Sequence, residues 1–217
     1  MDIVLAICGM AGGILCAVGD VLFDLKGPGN RKLGTSGNID SSWARMSYGR
    51  FGASLLCAFV GAPGIALGIV ALAHHVMAAQ AGLGWALFLM GIAVASGGIF
   101  LHTVLCVQAV VYKGIIETGT FEVADHALEQ LYRQVMAPFV LTLLLEVAVS
   151  ACVVAAVLGG SAGVPAWCAL LNPVVFTLVG LAFRKLDGER FRDLPGIVMP
   201  SLGCGCLGLV ALLAALA

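Results

Sequence analysis

The chain has 217 residues, 61% of them hydrophobic and 11% charged, with a net charge of -1 and a mean hydropathy of +1.07. A soluble domain carries roughly 25% charged residues, so this chain has too few to cover a water-facing surface, and its composition calls for lipid as solvent. The near-neutral charge, with acidic residues mixed among the basic ones, removes the electrostatic case for nucleic acid.

Long apolar stretches between polar breaks predict an all-α, polytopic membrane helix bundle of six transmembrane helices. They run from Ile3 to Phe23, Phe51 to Ala73, Leu83 to Tyr112, Met136 to Leu158, Val164 to Phe183 and Ile197 to Leu216. Six spans of about 20 residues each use nearly the whole chain, so residues 1–217 read as a single transmembrane domain, with no room for a soluble one. The first stretch begins after the acidic Asp2 and is long for the core of a cleavable signal, so it reads as a retained helix. The expected location is the cell membrane, a bacterial inner membrane, with multiple passes.

Orientation follows from the 11 Lys and Arg residues, all of which fall on alternate connections. Lys26, Arg31, Lys32, Arg45 and Arg50 lie between spans one and two, Lys113 and Arg133 flank the third connection, and Arg184, Lys185, Arg190 and Arg192 occupy the fifth. Basic residues are retained on the cytoplasmic side, which predicts N-out, C-out, with cytoplasmic loops at about 24–50, 113–135 and 184–196.

The first of these loops is rich in Gly, Ser and Asn, and its Gly27-Pro28-Gly29-Asn30 is a turn signal, so an irregular, mobile loop is expected. No convincing strand occurs anywhere, and with none there is no phosphate-loop or dinucleotide fingerprint. In the third connection Phe121, Ala124, Leu128, Leu131 and Val135 recur at steps of three and four, opposite Glu122, Asp125, Glu129 and Arg133. That spacing predicts a short amphipathic helix at the cytoplasmic interface before helix four, with Thr120 at its N-cap. His74-His75 closes span two as a polar helix end, and Trp85 and Trp167 read as interfacial anchors.

Eight cysteines are present, but they lie in or at the ends of apolar stretches and none forms a paired CxxC, so they read as small packing residues with no metal site. No c-type haem attachment motif occurs, and no cofactor is expected.

Ionisable groups in hydrocarbon are costly and mark functional sites by default. His102 in span three, Glu146 in span four and Asn172 in span five lie about 11, 13 and 12 positions from Lys113, Arg133 and Arg184. At 1.5 Å per residue they share a depth of roughly 17 to 20 Å from the basic boundary, near the midplane. His102 and Cys106 belong to a small-residue stripe with Gly91, Ala95, Gly98 and Ala109, Glu146 stacks with Thr142 and Ser150, and Asp20 follows Gly9, Gly13 and Cys16 on span one. Glu146 and His102 are the candidate catalytic pair, with Asn172, Asp20, Cys106 and Thr142 as candidate ligand-binding residues.

At Gly19-Asp20 with Asp24, Pro165-Ala166-Trp167 and Asn172-Pro173 the chain resembles a family of uncharacterised bacterial multi-spanning integral membrane proteins of unknown function. That resemblance implies a membrane protein and no particular activity. The His, Glu and Asn at one depth also resemble the intramembrane sites of emopamil-binding-type sterol isomerases, which implies a class of chemistry without a residue-by-residue match. Three readings follow. In the first, a lipophilic small molecule enters from the bilayer and exchanges a proton with Glu146 and His102, as in an isomerase. In the second, the chain is a small proton-coupled transporter of two inverted three-helix repeats, whose breaks at Gly61-Ala62-Pro63-Gly64 and Asn172-Pro173 are equivalents. In the third the buried polar groups only join helices.

Overall fold

The computed structural model describes residues 1–191 and 193–217; Arg192, one of the basic residues counted above, lies outside them. The chain folds as α1 (Asp2–Asp24), a β-hairpin of β1 (Lys32–Leu33) and β2 (Ile39–Asp40), a 3-10 turn (Ser41–Ala44), then α2 (Tyr48–Ala79) and α3 (Ala81–Thr118). These are followed by α4 (Phe121–Leu158), a second 3-10 turn (Ala166–Leu170), α5 (Pro173–Leu186) and α6 (Met199–Leu216).

Five helices, α1 to α4 and α6, are long and apolar enough to cross a membrane. The expected fifth span, Val164 to Phe183, is divided. Asn172 caps α5, its Oδ1 accepting from the Val175 N–H at 3.1 Å, and Pro173 takes the first helical position, where its missing N–H costs nothing. The 14 residues of α5 reach about 21 Å, short of the roughly 30 Å hydrocarbon core. Pro63, by contrast, lies inside the continuous helix α2. The two breaks expected to correspond are therefore a tolerated proline in one helix and a helix start in another.

The amphipathic segment is not a separate helix. Nothing between Phe121 and Met136 breaks helical geometry, so it runs directly into α4, a single helix of 38 residues, and its Ala124 and Leu128 are buried against the first loop. That loop is not irregular either. Lys32 pairs with Asp40 and Leu33 with Ile39 in the antiparallel hairpin, a short sheet where no strand was expected. Its Ile39 and Trp43 pack with Phe23, Phe51 and Tyr112 into an aromatic core at one end of the bundle. Phe23 and Trp43 have ring centroids 5.9 Å apart, and Trp43 and Tyr112 6.1 Å apart.

The three basic connections meet at that same end. The Gly27 N–H donates to Asp193 Oδ2 at 3.1 Å, Thr35 donates to Asp125 through its backbone N–H and its hydroxyl, and the Lys113 ammonium donates to the Ala44 carbonyl at 2.8 Å. Arg50, at the start of α2, donates to the carbonyls of Val21, Leu22 and Leu25, which closes the C-terminal end of α1 with a cation where the helix dipole favours one.

Toward the opposite end α1, α2 and α6 approach through glycine. A Cβ on Gly13 would stand 2.3 Å from Gly205 Cα, one on Gly9 2.5 Å from Gly68 Cα, and one on Gly12 2.5 Å from the Gly61 carbonyl oxygen. Small residues let helix backbones touch where no hydrophobic effect drives them together. Large apolar side chains such as Leu56, Phe59, Leu89 and Leu144 are left exposed on the outside of the bundle, as a lipid solvent requires.

Candidate functional site

Between the aromatic core and the glycine seam, α1, α2, α3, α4 and α6 surround a cavity of about 110 Å3. Its polar lining is Asp20 and Cys16 from α1, His102 from α3, Glu146 from α4, and Ser201 and Cys204 from α6. The His102 and Asp20 side chains keep only 13% and 19% of their exposure, so both have left water. Each has partners. Ser201 donates its hydroxyl to Asp20 Oδ2 at 2.5 Å, and the other carboxylate oxygen stands 3.4 Å from His102 Nδ1.

The hydrogen bonds assign the protons on this group. Ser54, fully buried on α2, donates its single O–H to the Gly19 carbonyl at 2.7 Å. It must therefore accept from His102 Nε2, 2.8 Å away, and also from the Cys106 thiol at 3.6 Å. With its lone pairs filled, Ser54 fixes a proton on His102 Nε2 and leaves Nδ1 turned to Asp20. One further proton can sit on either side of that contact, giving imidazole with carboxylic acid or imidazolium with carboxylate. Glu146 has no hydrogen-bond partner for its carboxyl group among the described residues, so it faces the cavity free to take a ligand, a water or a proton.

Three expected site residues lie elsewhere. Asn172 is buried, but both ends of its amide are committed, accepting from the Val175 N–H and donating to the Ala169 carbonyl at 2.7 Å. Thr142 returns its hydroxyl to the Pro138 carbonyl at 2.9 Å and faces Gly97. Cys106 does not line the cavity, but its side chain touches His102 and its thiol donates to Ser54 at 3.6 Å. Residues that the sequence did not single out, Ser54 and Ser201, are the direct partners of His102 and Asp20. Each belongs to a residue type common in helices, and nothing in its spacing marks it.

A larger polar cavity of about 730 Å3 opens at the basic end and is lined by Asp24, Lys26, Lys32, Asp40, Arg184 and Asp193. Asp24 is one helical turn from Asp20, about 6 Å along α1, so the two cavities are separated by a single turn. At its centre Asp40, 2% exposed, accepts from Lys26 at 2.7 Å, Lys32 at 3.0 Å and Asn30 Nδ2 at 2.6 Å. Burial opposes the charge on each partner. On Lys26 that pull is outweighed by Asp24 and Asp40, which raise its pKa above the ordinary lysine range. On Asp40 it is outweighed by Lys26, Asn30 and Lys32, which hold the carboxyl below the usual carboxylate range.

Among the described residues no group of three or more His, Cys, Asp or Glu side chains is placed to hold a metal ion. No curated protein and no solved structure matches the chain. A family of unknown function, DUF6796, matches it over residues 1–217, and the chain belongs to that family.

Proposed function

We propose that this protein is a small proton-coupled membrane transporter whose basic end faces the cytoplasm, with Asp20, His102 and Glu146 as its proton-carrying site. The observation that carries the reading is the meeting of these three ionisable groups, from three apolar helices, in one interior cavity. Such groups inside a membrane commonly mark ion or proton pathways. Size separates this reading from the isomerase-like one. Clefts that enclose drug-sized ligands measure roughly 300–1,000 Å3, and about 110 Å3 suits water, an ion or a small polar solute better than a sterol. The polar cavity one turn away at the basic end supplies an approach lined by charged groups, while the glycine seam closes the other side.

In this mechanism a proton arriving by way of Asp24 is taken up at the Asp20–His102 contact and passed across the cavity to Glu146. Release toward the opposite end requires the α1–α2–α6 seam to part. Proteoliposomes holding the purified chain and a trapped pH dye test this under an imposed proton gradient, with monovalent cations and small amino acids supplied in turn. The expected result is gradient dissipation with at least one solute, abolished by Glu146→Gln and by Asp20→Asn. Dissipation at the rate of empty liposomes for every solute, together with infrared carboxyl bands that do not titrate between pH 5 and 9, overturns the proposal. Cysteines introduced at Ser36 and Gly188 should be labelled only from the cytoplasm, and those at Gly82 and Ser161 only from outside.

A further inference from the structure

Away from the proton-carrying site, a third cavity, a cleft of about 250 Å3, opens between α3, α4 and the first loop. We infer that this cleft binds an anionic phospholipid of the cytoplasmic leaflet, with one acyl chain between α3 and α4 and the head group against Lys32, Asn38 and Gln108.

The first observation is a pair of unpaid amides. Gln108 is 3% exposed, lines the cleft, and has an Nε2 with no hydrogen-bond partner; Asn38, also in the lining, has neither its Nδ2 nor its Oδ1 paired. Buried polar groups are paired in more than nine cases in ten, and two unpaired amides at one cleft point to a partner that the protein does not itself provide.

The second observation is the direction of the lining. Lys32, Asn38, Gln108 and Tyr132 stand toward the basic end. Leu101 is seven residues, about 10 Å, further into the bundle along α3, and Phe139 is as far along α4. Leu105 and Phe139 are exposed at the rim, so the apolar part of the cleft is open to lipid. An amphiphile lying along the membrane normal has this gradient.

The third observation is the balance of donors and acceptors. Against one unpaired acceptor, Asn38 Oδ1, the polar end offers the two amide NH2 groups, the Tyr132 hydroxyl and the Lys32 ammonium, whose side chain is 61% exposed and spends one N–H on Asp40. A donor-rich end suits an acceptor-rich head group. Ester carbonyls meet the amides, and a phosphate meets Lys32. Anionic lipid is concentrated where basic residues cluster at a membrane surface, and the basic connections converge at this end.

Native mass spectrometry of the delipidated full chain, offered dioleoyl phosphatidylglycerol or dioleoyl phosphatidylcholine at equal concentration, tests the assignment. One retained phosphatidylglycerol is expected, preferred about fivefold over phosphatidylcholine, the worth of one basic residue at a membrane surface. Lys32→Gln should abolish the preference, and Gln108→Leu should weaken retention of both lipids about threefold to tenfold with helicity unchanged. Should Gln108→Leu unfold the chain, Leu105→Trp at the rim should instead be quenched by phosphatidylglycerol with brominated chains and not by a brominated alkane. Equal retention of the two lipids by the wild-type chain, full retention by folded Gln108→Leu, or preferential retention of a neutral quinone would each overturn the inference.

Discussion

The two ends of this bundle are held together by different physics. Toward the end holding the chain termini, α1, α2 and α6 meet with backbone against backbone, and Gly9, Gly13, Gly68, Gly205 and Gly208 make room for contacts that no side chain mediates. At the basic end the contacts run through aromatic rings, a β-hairpin and a charged network around Asp40. The first end is specified by the absence of side chains, the second by particular side chains in particular places. An interface of the first kind tolerates no enlargement, whereas the second tolerates changes of size better than loss of a charge or a donor. The candidate site lies on the boundary, where the glycine seam gives way to polar groups.

The largest expected effect is at the seam. Gly13→Leu places a Cβ 2.3 Å from the Gly205 backbone and cannot be relieved by a rotamer change, so it should cost more than the about 1–3 kcal/mol of ordinary overpacking. The chain should lose its unfolding transition in detergent or run as an aggregate on size exclusion. Gly82→Leu, with open space around it, should leave both unchanged. A stable Gly13→Leu protein would show that the helices are not held this close.

Next is the charged network. Asp40→Ala removes one of the two carboxylates that hold the Lys26 ammonium, whose side chain is 11% exposed; Asp24 stays paired with it, so the cost should fall below the about 3–5 kcal/mol of a buried charge left with no partner. The double variant Asp40→Ala with Lys26→Met should recover part of the loss in a chemical denaturation series, because the ammonium that lost a partner is gone. No recovery would mean that Asp40 acts through the hairpin and not through Lys26.

Ser54→Ala should have a smaller effect on stability, about 1–3 kcal/mol, since it removes the hydroxyl that accepts from buried His102 Nε2. Its sharper consequence is on the proton. Without Ser54 nothing fixes the Nε2–H tautomer, so nitrogen chemical shifts of His102, in a chain with its other histidines replaced, should change from one tautomer to a mixture. A single unchanged tautomer would show that Asp20 alone sets it.

These contrasts also explain what was legible in the sequence. Asp20, His102 and Glu146 stand out because an ionisable residue in an apolar stretch is rare, and composition alone marks them. Which of them share a cavity depends on helix order, which one sequence does not encode in any local pattern. Asn172 carried the same mark for another reason: in front of Pro173 a short amide is a helix cap, and its polarity is spent on the backbone. The first loop was obscured by its Gly, Ser and Asn content, which describes its turns but not the packing of Ile39 and Trp43 beneath them. The apolar periodicity of Phe121–Val135 was readable as helix, yet its end was placed by a change in hydropathy, and hydropathy does not stop a helix that meets no breaker.

The smallest expected effect is acid loosening of the basic end while the seam stays intact. Asp40 has its folded pKa below the unfolded value of 3.8, so its contribution to stability is complete well above that value and is lost as pH falls through the folded one. Lys26, whose folded pKa is raised above 10.5, stays charged throughout that range and contributes nothing to the acid change. Protonating Asp40 removes its charge but leaves its oxygens able to accept from Asn30, so the effect should be smaller than that of Asp40→Ala. Trp43 reports it, lying in the core beneath the hairpin. With Trp85 and Trp167 replaced by Phe, its fluorescence should shift to longer wavelength below about pH 4, while far-ultraviolet circular dichroism, dominated by the membrane helices, stays constant. In Asp40→Asn, which cannot titrate, the shift should be absent or already present at neutral pH. A pH-dependent shift of wild-type size in Asp40→Asn would assign the acid sensitivity to another carboxylate of the basic end, with Asp24 and Asp193 the first to test.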